Sequence, residues 1–183
     1  MPKKPSINQQ GLELNARLRN PNTINPLMNN NFKLTLTRLP NITFWCSSVN
    51  IPGVNIGEVP VSNMFAQVHV PGSSIQLDQL RVTFGVDENF ANWMEIHKWM
   101  RGVVPFEDFR EIYQDQDDYY SDGIIHTLTN AKNPNMIFTF KKLLPVSLDG
   151  FEMTSTANDT EQITSSVTFV YETFDIQSVH NLT

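Results

Sequence analysis

The chain has a single cysteine, Cys46, in 183 residues. It therefore forms no internal disulfide, and its cysteine usage gives no sign of an oxidising compartment. Charge is also scarce. Asp, Glu, Lys and Arg make up 17% of the residues, where a typical soluble domain has about a quarter. Polarity comes instead from Asn, Thr, Ser and Gln, a surface that repels itself little and suits contact with other protein faces. No apolar run approaches the roughly 18–20 residues of a membrane-spanning helix. The opening stretch MPKKPSINQQ has two lysines but no apolar segment, so it lacks the pattern of a secretory signal. The N-x-T triplets at Asn41, Asn158 and Asn181 then read as chance matches in a chain rich in Asn and Thr.

Motifs of chemistry are missing too. The phosphate-cradling and dinucleotide-binding glycine loops and the G-x-S-x-G elbow do not occur. His69, His97, His126 and His180 lie far apart, with no H-E-x-x-H spacing for zinc. The acidic run DQDDYYSDG fails as a calcium loop. Counting from Asp115, the fifth and sixth positions are Tyr119 and Tyr120 and the twelfth is His126, where oxygen ligands and a glycine are needed. Neighbouring carboxylates such as Glu107 and Asp108 are adjacent along the chain, which is not the facing geometry of acid–base catalysis. A net charge of −6 argues against wrapping nucleic acid by phosphate neutralisation. The expectation is a protein with no metal, no cofactor and no enzymatic activity. Cys46 stands in the run ITFWCSSV with no histidine or basic residue beside it to lower its pKa. It reads as a small apolar residue sharing a strand face with Phe44.

What is present is mostly β pattern. Residues 1–31 form an Asn/Pro-rich arm: NPNTINPLMNNN holds six Asn and two Pro, a composition of turns. Upstream, GLELNARLRN places Leu12, Leu14 and Leu18 where a short helix could order on a partner. FKLTLTRL alternates strictly, so residues 32–39 predict a strand, and ITFWCSSV predicts its hairpin mate. NIPGVNIGEVPVS reads as an extended connector or edge segment because of its prolines and glycines. MFAQVHVPG reads as a short strand closed by Pro71-Gly72. In IQLDQLRVTFGV the apolar parity flips near Asp78-Gln79, which predicts a bulge.

One helix is expected at about residues 88–102. Phe90, Trp93, Ile96, Met100 and Val103 recur at three and four. Asp87 is its expected N-cap and Gly102 its left-handed C-cap. Trp93 falls on the apolar stripe and His97 beside it, while Trp99 falls off it and becomes a candidate to be covered by a neighbouring subunit or by the arm. Residues 103–123 are acidic and aromatic without a clean period, and read as an insertion. GIIHTLTN, NMIFTFKKLL, VSLDGFEM and the long EQITSSVTFVYETF complete the strands, and residues 176–183 are left as a tail. The fold class expected is mainly β: a two-sheet antiparallel sandwich or barrel over residues 32–175, with one flanking helix.

NFKLTLTRLPNITFWCSSVNIPGVNIGE, followed by VPGSSIQLDQLRVTFGVDENFANWMEIHKWMRG, resembles the tail-tube fold group of contractile-tailed bacteriophages. The resemblance covers residues 31–105 well and 124–174 more loosely, and has no catalytic residue in it. It implies a β-sandwich whose six copies close into a ring, with sheets continuing from chain to chain and DNA passing through the lumen without sequence-specific binding. Closure would remove free sheet edges, and a net-negative lumen would repel DNA rather than hold it. The helix run is most similar to the tail completion branch, the terminator ring that joins tube and sheath to the neck. The arm and the insertion suit a ring made once. The major tail tube protein is the alternative. Either reading implies a virion tail protein assembled in the host cytoplasm, with tube, sheath or neck proteins as partners and no membrane. Expected subunit-contact residues are Trp45, Ile51, Val54, Met64, Phe65, Val68 and Trp99. Two further readings stay open: a monomeric binding module with Trp99, Tyr119 and Tyr120 as its platform, and an enzyme built around Cys46.

Overall fold

Two antiparallel sheets share one long strand that bends from the first into the second. The computed structural model describes residues 25–62, 65–104, 116–155 and 161–179. Their strands are β1 (Phe32–Leu36), β2 (Cys46–Val49), β3 (Val54–Ser62), β4 (Gln67–Leu77), β5 (Leu80–Gly85), β6 (Ser121–Leu128), β7 (Pro134–Leu148), β8 (Thr164–Val170) and β9 (Thr173–Ser178). The helices are α1 (Pro40–Trp45) and α2 (Ala91–Val103), with a 3-10 turn at Gln116–Tyr119. The first half of β7 pairs with β6 and β9, and its second half pairs with β8. One sheet is therefore β1-β6-β7-β9 and the other β7-β8-β5-β2. The ladder ends at β1 and β2, which do not pair with each other, so the sandwich stays open rather than closing into a barrel.

The corner in β7 has a local cause. Lys142 takes φ 55°, a left-handed conformation that costs a non-glycine residue energy and must be held. Its amide donates to Asp122 Oδ1 at 3.1 Å, and the next side chain, Leu143, is buried. Alternation then puts one face of each sheet inward. Leu34, Leu36, Leu80, Val82, Phe84, Ile125, Phe140, Leu143, Val167 and Phe169 meet in one core with Leu39 and Ile42 of the α1 region and Ile96 and Trp99 of α2. The expected two-sheet, mainly β class with α2 on its flank is what forms.

Several expected boundaries move. Residues 32–49 are not a hairpin: β1 pairs β6, β2 pairs β5, and α1 lies between them. Pro40 opens α1 with its φ already set for a helix. Thr43 Oγ1 then accepts from the Leu36 amide at 3.1 Å and donates to the Leu39 carbonyl at 3.3 Å, which pins the turn. The parity flip near Asp78-Gln79 is a break between β4 and β5 rather than a bulge. NMIFTFKKLL and the start of VSLDGFEM are one strand, β7. EQITSSVTFVYETF is instead two, β8 and β9, and β9 runs on to Ser178.

Helix α2 begins at Ala91, after Phe90 in a left-handed turn with φ 56°. Asp87 is not its cap; its carbonyl accepts from the Phe90 amide at 2.9 Å. The entry is held by Asn92, fully buried, whose Nδ2 donates to the Gly85 carbonyl at 2.8 Å. Its Oδ1 accepts from the amides of Asp87 at 3.2 Å and Trp93 at 2.8 Å. Gly102 is a helical residue packed inward rather than a left-handed cap, and the chain leaves the helix at Val104 in extended conformation.

Candidate assembly surface

Among the described residues, strands β3 and β4 pair only with each other. They form a hairpin of nine and eleven residues in which every residue except Gly72 is exposed. A two-stranded ribbon with no third strand or helix against it is marginal on its own, and this one is rich in aliphatic residues. Val54, Ile56, Val59, Val61, Val68, Val70, Ile75 and Leu77 are all exposed, and Phe65 at its tip is 91% exposed. Each half-wetted aliphatic side chain forgoes on the order of 1 kcal/mol of burial. Such a run of exposed aliphatic residues makes the hairpin a candidate contact surface.

Register divides the hairpin in two. Val54↔Leu77 and Ile56↔Ile75 pair near the root, and Val59↔Val70 and Val61↔Val68 pair in the distal half. Between them Gly57 alone stands opposite Gly72, Ser73 and Ser74. The backbones pass so closely there that a Cβ on Gly72 would sit 2.7 Å from the Gly57 carbonyl oxygen. Two extra residues leave the parity of both strands unchanged, so the pleat continues through the bulge. The aliphatic set, however, changes parity at that point. The root patch shares its ribbon face with Glu58, Pro60, His69 and Pro71, and the distal valines take the other face.

The edges of the distal half are blunted. Pro60 and Pro71 fall in pairs of one class, Pro60↔His69 and Glu58↔Pro71, which alternate with the valine pairs. Proline is tolerated where its missing N–H would point out of the ladder, so each outer edge lacks a donor there. This half is built for contact through its face rather than for adding a strand.

The root is firmly tied. The Asp78 amide donates to the Gly53 carbonyl at 3.0 Å, and Asn50 Nδ2 donates to the Gln79 carbonyl at 3.1 Å. From β8's exit, Tyr171 OH donates to the Asp78 carbonyl at 2.8 Å.

A second apolar feature lies elsewhere, between α2 and the second half of β7. It is an open groove of about 530 Å³, walled by Trp93, Met100, Val104, Val146 and Leu148, with His97 and Arg101 at its side. Trp93 stacks on His97 with ring centroids 5.3 Å apart and donates from Nε1 to the Asp149 carbonyl at 3.3 Å.

Residues 12–177 match the family model described as phage tail tube protein. The chain belongs to that family. A comparison with curated proteins gives no sequence match. Among solved structures, the fold is similar to the tube-terminating cap of the anti-feeding prophage. That match has a TM-score of 0.62 and 16% identity and covers 87% of this chain and 96% of the other. It is also similar to a chain of a sheath–tube complex from the PVC extracellular contractile injection system, with a TM-score of 0.59 and 15% identity over 96% of this chain and 100% of that one. The sheath/tube terminator of the same system gives 0.57 and 16%, over 83% and 96%.

As a tail tube family member the chain is a structural protein and not an enzyme. Cys46 agrees with this on chemical grounds. Burial pushes its thiol up to about 11, so it is protonated at neutral pH and a poor nucleophile. It is half-buried against the core at the start of β2, but not on a strand face with Phe44. Phe44 and Trp45 belong to α1, both exposed and edge-to-face at 5.4 Å. Among the described residues no group of three His, Cys, Asp or Glu is placed to hold a metal, and no helix is long and apolar enough to cross a membrane.

The expected contact residues separate. Ile51, Val54, Phe65 and Val68 come together on the hairpin and its root, and Trp45 stands apart on α1. Met64 lies outside the described residues. Trp99 is corrected: at 2% exposure it belongs to the core. The 116–119 turn folds back over it, taking its Nε1–H on the Tyr119 carbonyl at 2.9 Å. Arg38 caps the ring face at 5.1 Å and donates to the Asp118 carbonyl. This removes Trp99 from the binding-platform reading as well. Ile56, Val59, Val61, Val70, Ile75 and Leu77 were missed. In VNIGEVPVS the alternation was present but the prolines and glycines argued for a connector, while QVHVPG was read as a short strand without its aliphatic face being taken as exposed.

Proposed function

We propose that the chain is the subunit of a hexameric ring at the end of the tail tube of a contractile-tailed phage. In this reading it is the completion, or terminator, ring joining tube and sheath to the neck, with a lumen through which DNA passes. The observation that carries it is the β3–β4 hairpin, an aliphatic arm on a fixed root that no other described element of its chain covers. In a tail tube family member, a neighbouring subunit is the natural cover. Two of the similar folds belong to proteins described as tube terminators, which supports the tube-end position. A chain of a sheath–tube complex matches over its whole length, which is compatible with the alternative, the major tail tube protein. The net charge of −6 suits a lumen that lets DNA slide. Partners are then tube, sheath or neck proteins, and the place of action is the virion tail, after assembly in the host cytoplasm.

The test is assembly. Native mass spectrometry and electron microscopy of the full chain, alone and with purified tail tubes, should show six-membered rings that bind tube ends. Monomers under all conditions would end this reading, and long tubes polymerised from this chain alone would turn it to the major tube protein.

A further inference from the structure

We propose that the bulge at Gly57 is a hinge, about which the distal half of the β3–β4 hairpin turns while its root stays fixed to the sandwich. This is a property of the single chain and does not depend on the ring reading.

The two halves are held differently. At the root, the Asp78 amide donates to the Gly53 carbonyl, Asn50 Nδ2 to the Gln79 carbonyl, and Tyr171 OH to the Asp78 carbonyl. Asn55 Nδ2 adds a longer bond to Asp78 Oδ1 at 3.5 Å. The distal half, from Glu58↔Pro71 to Ser62↔Gln67, is exposed along its length and pairs with no other described strand. Between the halves the one-to-one register lapses, with Gly57 against Gly72, Ser73 and Ser74. Just beyond, Pro71 supplies no N–H to the ladder. The ribbon is thus least constrained at the bulge.

The two glycines there have different reasons. Gly72 is demanded by fit, since its Cβ would lie 2.7 Å from the Gly57 carbonyl oxygen. Gly57 is not. Among the described residues a Cβ at Gly57 would meet only Ser74 Oγ at 3.5 Å and the Ser74 carbonyl oxygen at 4.0 Å, ordinary contact distances. No described glycine has a positive φ either. The conformation held here would therefore accept alanine at Gly57. What alanine would remove is the wide range of φ and ψ open to glycine, and hinges are the few residues that absorb such backbone changes. The swing re-aims Val59, Val61, Val68 and Val70 relative to the sandwich, while Val54, Ile56, Ile75 and Leu77 keep their place.

The test measures two spin-label distances by double electron–electron resonance in the full-length monomer, with Cys46→Ser as background. Both start at Lys98→Cys on α2. One ends at Gln76→Cys in the root and the other at Gln67→Cys in the distal half, all exposed positions. The distal distribution should be at least about twofold wider than the root distribution. Gly57→Ala should narrow it to near the root width, with the root distance and circular dichroism unchanged. Deleting Ser73 and Ser74, which restores one-to-one register opposite Gly57, should narrow it likewise. Equal widths in the parent would overturn the hinge. So would a distal distribution that stays broad in either variant, because the motion would then be fraying of the ribbon as a whole. A shifted root distance in Gly57→Ala would overturn it too, by making Gly57 part of the fit.

Discussion

The sandwich and the hairpin are made of the same residue types with opposite fates. In the sandwich, valine, leucine and phenylalanine alternate into a core where Val82, Phe84, Phe140, Val167 and Phe169 lose all contact with water. In the hairpin the same alternation, Val59-x-Val61 facing Val68-x-Val70, leaves every one of them wet. A strand is stabilised by what covers its face, not by its own composition. The core strands have their cover within the chain, whereas no described element covers the hairpin, and in the proposed ring a neighbouring copy would do so. Stability and assembly should therefore separate cleanly between the two regions.

The largest effect is expected in the sandwich. Phe169→Ala removes a fully buried ring at the contact of β8 with Trp99, whose ring centroid is 6.1 Å away. It should cost about 3–5 kcal/mol in urea unfolding of the monomer. Next comes the helix entry. Asn92→Ala strands the Gly85 carbonyl and the Asp87 amide, at a cost of about 2 kcal/mol, read as a lower urea midpoint with an unchanged slope. In the hairpin, Val59→Asp with Val68→Asp should change monomer stability by no more than about 0.5 kcal/mol while abolishing rings in native mass spectra. A large loss of monomer stability from that double substitution would break the comparison, because it would mean the arm is covered within its own chain.

A last effect, confined to high pH, sits at Cys46 in β2 of the sandwich. Its thiol has an ordinary value of 9.0 and is raised to about 11 by burial. The folded state thus holds the proton more tightly than the unfolded chain. The resulting stability is fully present below pH 9 and is lost as pH rises through about 11. Correspondingly, alkylation of the native protein should keep accelerating with pH beyond 9, where a free thiol levels off. A plateau near 9 would show the thiol to be solvated.

Much of the sandwich was legible in advance because its signals are local. FKLTLTRL, LRVTFGV and GIIHTLTN alternate, and alternation follows directly from a half-buried pleat. The α2 stripe was legible for the same reason. The misread elements depend on non-local partners. Residues 42–45 have strand-forming side chains, yet Pro40 and the Thr43 bonds turn them into α1. Trp99 looked peripheral on the helix because the turn that buries it comes seventeen to twenty residues later in sequence. VNIGEVPVS looked like a connector because Pro and Gly normally interrupt strands, whereas here Pro60 protects an edge and Gly72 lets the partner strand pass close to Gly57.

By itself the sequence determined the class: a mainly β domain without disulfide, metal spacing or nucleophile, poor in charge and shaped for contact with other proteins. These follow from composition and short-period pattern, which act residue by residue. Only the tertiary structure decided which apolar residues are core and which are surface. Burial depends on what lies across the sheet or over the helix, and those partners are far apart in the chain. That is why Trp99 passed from the candidate interface into the core, and why Val59 and Val61, in a segment read as a connector, became part of an exposed apolar face.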